Sequence, residues 1–268
     1  MPFTLQAALL GIVQGLTEFL PVSSSAHLIL ARLFFGFDGD KFGLAFDVAC
    51  HVGTLIAVLV YFRVEIARLV EALPRLFIRD DPDARLIWLI VIGTIPAIIV
   101  GLIFKNQIEE HLRTPGIAAT MLAAGAVLFF VAEAVGVRTR AESSLTFGEA
   151  LLIGCAQAAA LVPGVSRSGA TITVALLLGL RRADAARFIF LLAIPAILGA
   201  AASEAPKLLK AGLGDTAALF VIGIVSSAIV GYAAVKYFIR YLGNHSIVAF
   251  GWYRLALAAA TAIWLWRA

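Results

Sequence analysis

The chain reads as an all-α, polytopic membrane helical bundle, with about six spanning helices plus two re-entrant helical hairpins in an inverted repeat. Three observations predict it. The composition is 62% hydrophobic and 14% charged, with a mean hydropathy of +0.98, against about 45–50% and about 25% in soluble domains. Several stretches with almost no charge, such as Leu86–Phe104, reach the roughly 18 residues that carry a helix across the hydrocarbon core. Two further apolar segments, residues 3–36 and 147–180, are broken in mid-course by proline and serine.

From the N-terminus, residues 3–36 come first, interrupted around Pro21. Each half of such a segment has about 15 residues, too short to span comfortably. A serine-rich break at membrane depth must be buried in protein or line a wet cavity, so the segment is expected to enter and leave on one side. Spans are predicted at roughly Gly43–Phe62, Leu86–Phe104 and Gly116–Val135. The second broken segment, interrupted around Pro163, opens the other half, and spans follow at Asp184–Ser203, Thr216–Val235 and Ile247–Trp266. Connecting stretches such as "IRDDPDAR", "KNQIEEHLRTP" and "RTRAESS" are too short for a soluble domain. Residues 1–268 therefore form a single membrane domain with halves at about 1–135 and 136–268. No removable leader is expected, because the first twenty residues lack a basic start and a clear cleavage site.

The two broken segments resemble each other. "GIVQGLTEFLPVSSSAH" (Gly11–His27) and "GCAQAAALVPGVSRSGA" (Gly154–Ala170) share Gly-x-x-Gln, a Leu or Val before Pro, and a Ser-x-Ser tip. Aligned on their prolines they need a one-residue gap. Three spans follow each copy, and an odd number turns the second copy over. That is the plan of transporters whose site lies between inverted repeats. The loops sharing a side with residues 63–85 hold twelve of the 21 Lys and Arg residues and the opposite loops seven, with Arg167 and Arg254 inside segments. By the positive-inside rule, residues 63–85 are cytoplasmic and the first hairpin opens outward.

A formal charge of +4 without a basic run gives no sign of a nucleic-acid partner. Cys50 and Cys155 sit in apolar helical sequence without metal-ligand spacing and read as packing residues. Glu18 and Arg167 stand out, because a charge at bilayer depth costs roughly 2.5–3.5 kcal/mol on insertion scales. Gln14 and Glu18, four apart, share a helix face. Pro21 ends that helix, and Ser23, Ser24 or Ser25 can cap the next, whose first turn holds His27. Glu18, a serine hydroxyl and His27 are thus expected to converge at the first tip. At the second, Ser166, Arg167, Ser168 and Gly169 lead into a helix whose N–H groups, with the Arg167 fork, form an anion receptor.

Facing one another, these tips suit phosphoryl transfer. Any single serine here is more readily explained as helix-packing glue, and Gly11-x-x-x-Gly15 as a packing motif. His51, four residues after Asp47, reads more readily as half of a satisfied core pair than as a site residue. A transporter or flippase is the reading from a different class, resting on the broken helices and inverted repeat.

"QGLTEFLPVSSSAH" and "PGVSRSGAT" resemble the two signature motifs of the undecaprenyl-diphosphate phosphatase family of the bacitracin-resistance type. Those motifs run [Glu/Gln]-Gly-x-Thr-Glu-Phe-Leu-Pro-x-Ser-Ser-x-x-His and Pro-Gly-x-Ser-Arg-Ser-Gly, and the resemblance covers essentially the whole chain. It implies a multi-pass enzyme of the bacterial inner membrane whose partners are the bilayer and its lipid substrate, undecaprenyl diphosphate. Removal of the terminal phosphate would return the carrier lipid to peptidoglycan and cell-envelope synthesis and confer bacitracin resistance. The resemblance also implies a divalent cation, Mg2+ or Ca2+.

Carried onto this sequence, the expected catalytic residues are Glu18, Ser24, His27 and Arg167. Gln14, Ser23, Ser25, Ser166, Ser168 and Gly169 join Arg167 as substrate-binding residues, and Glu18 and Asp47 are the expected metal ligands. Gln14 cannot ionise as the Glu of other members does, and His51 stands where members often carry Gln. The expected chemistry is attack by Ser24 with His27 handling the proton, or attack by water with Glu18 or His27 as base.

Overall fold

A computed structural model of the chain describes residues 1–39, 41–78, 80–211 and 216–267, without the side chains of residues 105 and 204–211. Of the basic residues counted for orientation, Arg79 and the side chains of Lys105, Lys207 and Lys210 lie outside the described residues. The described residues form α1 (Phe3–Phe19), α2 (Ser24–Phe35), α3 (Leu44–Tyr61), α4 (Arg63–Ala72), α5 (Pro82–Gln107), α6 (Pro115–Val135), α7 (Phe147–Ala159), α8 (Arg167–Leu177), α9 (Arg182–Ala211), α10 (Ala217–Leu242) and α11 (Val248–Arg267). Six of them, α3, α5, α6, α9, α10 and α11, are long and apolar enough to cross a membrane. They fall on the six predicted spans. Among the described residues there is no β-strand, only a single bridge between Arg140 and Leu180.

Local chemistry sets the helix ends. Thr114 caps α6 by accepting from the Ile117 N–H, with Pro115 at the first helical position. Thr146 and Glu149 form a reciprocal capping box on α7. Gly36 closes α2 in the left-handed region at φ 62° and donates its N–H to the Arg32 carbonyl.

The broken segments become two pairs of short helices, with 17 and 12 residues in α1 and α2 and 13 and 11 in α7 and α8. Each is below the roughly 20 residues of a span. The first helix of each pair is wedged into the opposite half of the chain, α1 chiefly on α10 and α7 chiefly on α5, while α2 lies against α6 and α8 against α6 and α9. Around the junction, Phe190 of α9 touches Phe19, Phe62 and Phe238 at ring separations of 5.5, 6.4 and 6.0 Å. Edge-on and tilted contacts of this kind suit the aromatic quadrupole. Cys50 is buried as expected, and Cys155 is exposed.

Small residues let the short helices approach this closely. On α1, Gly11 and Gly15 lie against Gly223, Ser226, Ser227 and Gly231 of α10. On α7, Gly154 lies against the backbone of Gly93 in α5, and a methyl there would overlap the Gly93 carbonyl oxygen. Two loop clusters tie helix ends together. Arg140 ties its own carboxylate partner Glu149 (2.6 Å) to the Leu178 carbonyl (2.7 Å), so one guanidinium spans the start of α7 and the end of α8. Glu133, at the foot of α6, accepts from Arg138, Arg182 and the Ile247 N–H.

Gly154→Ala should destabilise the detergent-solubilised protein by about 1–3 kcal/mol, because backbone meets the new methyl and cannot rotate away. Gly148→Ala on the same helix has open space at its Cβ position and should be neutral or slightly stabilising. Matched unfolding curves check this; equal stabilities would mean that α7 and α5 are not in backbone contact.

Candidate active site

Both breaks are built alike. Ser23 and Ser166 each hold φ at 72°, and each side chain caps the helix that follows, Ser23 Oγ accepting from the Ala26 N–H and Ser166 Oγ from the Gly169 N–H. A positive φ is uncommon outside glycine and costs on the order of 1–3 kcal/mol. Each cap also pairs its hydroxyl with that of the serine two residues on, Ser23 with Ser25 at 3.2 Å and Ser166 with Ser168 at 3.3 Å. The equivalence runs further: Gly11 and Gly154, Gln14 and Gln157, and both serine pairs are all related by one constant offset of 143 residues. The one-residue gap expected from the sequence disappears, because the serine caps and not the prolines are the corresponding positions.

The two tips interlock. Ser23 Oγ accepts the Gly164 N–H at 3.1 Å, and Ser168 Oγ donates to the Leu20 carbonyl at 3.0 Å. Breaking a helix strands backbone donors and acceptors, which hydrocarbon cannot satisfy. Here each tip supplies partners for the other.

This places Ser24 and Arg167 at equivalent positions, each the first residue of its helix, with Glu18 between them. Ser24 Oγ donates to Glu18 Oε2 at 2.6 Å and Gln14 Nε2 donates to the same oxygen at 2.9 Å. Arg167 Nη1 lies 3.6 Å from Glu18 Oε1 and is buried without a hydrogen-bond partner. Beside this cluster a narrow cleft is lined by Glu18, Arg167, Ser168 and Thr171, with an apolar wall of Phe19 and of Ile189, Phe190 and Ala193 from α9. A hydroxyl held by a carboxylate, facing a guanidinium with a free fork, can present a nucleophile to a bound anion.

His27 does not join that cluster directly. Its Nδ1 lies 2.8 Å from the Ser23 carbonyl, which can only accept, so the neutral ring is protonated there. Its Nε2 then accepts from the Tyr253 hydroxyl at 2.7 Å, and the two rings stack 5.6 Å apart. The residue against Glu18 is His51, whose Nε2 is 3.3 Å from Oε2 while its Nδ1 donates to the Asp47 carbonyl at 2.7 Å. With Nδ1 so committed, the contact to Glu18 becomes a hydrogen bond only when one further proton is shared between ring and carboxylate.

Asp47, expected with Glu18 as a metal ligand, is turned toward two arginines: Arg32 takes both of its oxygens and Arg113 one, at 2.9 Å. Among the described residues no three His, Cys, Asp or Glu side chains form a ready-made cage for a metal ion. Beside the Glu18 carboxylate, Gln14 presents its amide nitrogen, and the Gln14 Oε1 is buried without a hydrogen-bond partner. Of the other expected residues, Ser23, Ser25, Ser166, Ser168 and Gly169 build the tips that hold Ser24 and Arg167.

Sequence reading weighed His51 on its four-residue spacing from Asp47 without placing it against Glu18. It missed Tyr253 and the place of Arg254 on the last helix, where the one signal is a charge in an apolar span. Gln157, the counterpart of Gln14, is buried with both amide ends unpartnered, since Leu161 stands where Glu18 would correspond.

Residues 7–260 match the family model described as bacitracin resistance protein BacA. An undecaprenyl-diphosphatase of Rubrobacter xylanophilus is 50% identical over 263 residues, covering 96% of this chain and 97% of that protein. One from an Arthrobacter species is 45% identical over 95% of this chain and 91% of its own length. Undecaprenyl-diphosphatase 2 of Stutzerimonas stutzeri is 46% identical over 95% and 96%.

Proposed function

The chain belongs to the bacitracin resistance protein BacA family, and we propose on that footing that the cluster of Glu18, Ser24 and Arg167, where its two tips meet, is where it hydrolyses undecaprenyl diphosphate. The products are undecaprenyl phosphate, the carrier lipid of peptidoglycan and other envelope polymers, and inorganic phosphate. The relatives are named for hydrolysis, which does not favour a transporter. One observation carries the assignment of the site: the Ser24 hydroxyl donates to Glu18 while the Arg167 fork stands across the same carboxylate.

Arg167 and the first N–H groups of α8 bind the terminal phosphate, a planar donor fork and a helix start both suiting its oxygens. Ser24 Oγ attacks the terminal phosphorus and passes its proton to Glu18 Oε2, already in line to receive it. The bond from that phosphorus to the bridging oxygen breaks, and undecaprenyl phosphate leaves with the electron pair. Water then attacks the phosphoserine, Glu18 relays a proton back to Ser24 Oγ, and inorganic phosphate departs. Gln14 holds Glu18 in place from one side and His51 from another. His27 and Tyr253 fix the first turn of α2, so His27 orients Ser24 through the Ser23 carbonyl.

Glu18 would hold Mg2+ or Ca2+ together with substrate oxygens, one carboxylate and phosphate being hard donors suited to such a cation. Such a cation would neutralise charge on the diphosphate. Each short helix pair enters and leaves the bilayer on one side, the first from the periplasm and the second from the cytoplasm, with the protein in the bacterial inner membrane and the site reached from the periplasm. The loop charges and the lengths of α1, α2, α7 and α8 support that arrangement.

Phosphate release from undecaprenyl diphosphate by detergent-purified protein tests the reading. Ser24→Ala should lower kcat by roughly 10³-fold or more, and Arg167→Lys should lower kcat/KM by about 10–10²-fold through loss of charged hydrogen bonds. Wild-type turnover in Ser24→Ala would replace the seryl intermediate by direct attack of water. Chelation should stop release and added Mg2+ or Ca2+ restore it; full turnover in excess chelator would remove the cation from the reaction.

A further inference from the structure

Arg254 is the largest fully buried side chain, at 0% exposure, in the middle of α11. Among the described residues it pairs with no carboxylate. All five of its N–H groups go to backbone carbonyls instead. Nε donates to Leu122 at 3.1 Å; Nη1 donates to Pro21 and Val165, both at 3.2 Å; Nη2 donates to Met121 at 3.0 Å and Gly164 at 2.8 Å. These acceptors belong to three different pieces of chain: the first tip, the second tip and the interior of α6.

The surroundings are shaped to admit the guanidinium. On a helix, the side chain one turn on shields a carbonyl, and for Met121 that residue is Gly125. A methyl on Gly125 would overlap Nη2 and stand 2.7 Å from Cζ; every close neighbour of that position is an Arg254 guanidinium atom. Phe129 lies beneath, its ring centre 4.9 Å from Cζ, in cation–π contact. Gly169 also makes room, since a methyl there would come 3.1 Å from Nη1.

A buried, unpaired charge is expensive, and a fold that needed only apolar packing here could use leucine. What a guanidinium offers is a rigid five-donor fork, here joining broken backbone from both tips to one helix. We propose that Arg254 is a positioning residue for the reaction, clipping the two tips into the register in which Ser24 and Arg167 address one phosphate. The inference rests on the hydrolytic reading above and adds a residue that touches neither substrate nor reacting atoms. Displacement of the fork lets the tips move apart, and a misplacement of about 1 Å in a preorganised site costs on the order of 10²-fold in rate. Arg167 still reaches the diphosphate, so binding is largely spared.

Three variants separate this from mere fold maintenance: Arg254→Lys, which keeps the charge but not the fork, Gly125→Ala, and the double variant. Activity is measured per mole of monodisperse protein, and amide hydrogen exchange is followed in peptides covering residues 20–27 and 163–169. Gly125→Ala is expected to fold, since it clashes only with the guanidinium and alanine favours a helix. Its kcat should fall tenfold or more with KM within about threefold, and both tip peptides should exchange faster while α9 and α10 do not. Arg254→Lys should lose about 10²-fold in kcat, and the double variant should lose no more, because the two changes act through one fork.

Unchanged tip exchange in Gly125→Ala, a kcat within twofold of wild type, or losses that multiply in the double variant would overturn the proposal. If Arg254→Lys yields no folded protein, Gly125→Ala decides alone. A wild-type protein that releases no phosphate would instead sink the hydrolytic reading, and tip exchange would still show whether Arg254 joins the tips.

Discussion

Backbone amides and carbonyls that lose their helical partners cannot be left bare where water is scarce, and this chain creates several of them twice, at Leu20–Ser23 and at Val162–Ser166. The rest of the structure depends on how those groups are satisfied. Each tip meets part of the need of the other, through Ser23 Oγ and the Gly164 N–H in one direction and Ser168 Oγ and the Leu20 carbonyl in the other. Arg254 supplies both with donors from the far side. A break in a membrane helix is costly in isolation. Two breaks that complete each other's hydrogen bonding make a stable junction, and any polar chemistry placed on them is held as firmly as the backbone itself.

The junction is nearly symmetric in build and asymmetric in chemistry. Two serines with the same φ, the same cap and the same hydroxyl pairing present the next residue at the first position of a helix. In one copy that residue is Ser24 and in the other Arg167, and both address Glu18. A repeated scaffold thereby delivers a hydroxyl and a guanidinium to one carboxylate from opposite sides. The glutamine pair shows what divergence left behind: Gln14 is occupied by Glu18, whereas Gln157 faces no corresponding acid.

Much of the site was legible because its residues are improbable in hydrocarbon. Glu18, Arg167 and the Ser-x-Ser tips stand out against apolar flanks, and local rules for proline breaks and serine caps place them at helix junctions. The convergence of Glu18 with a serine followed from that. The place of His27 did not: helical spacing put it near Ser24, but its ring direction depends on a carbonyl one turn back and on Tyr253, more than 200 residues away. His51 and Asp47 were legible as a pair, yet their partners, Glu18 for one and Arg32 with Arg113 for the other, lie on different elements.

Amino-acid order by itself determined the membrane class, the six spans, the position of both breaks and the identity of the residues at their tips, because hydropathy, helix period and capping are local properties read along the chain. Tertiary structure decided which groups meet. Ser24 finds Glu18, Asp47 is drawn to arginines, and Arg254 reaches carbonyls of three distant segments only once α11 packs on α6 and the two tips close on each other. Hydrogen bonds act over about 3 Å in space, and distance along the sequence carries no record of that.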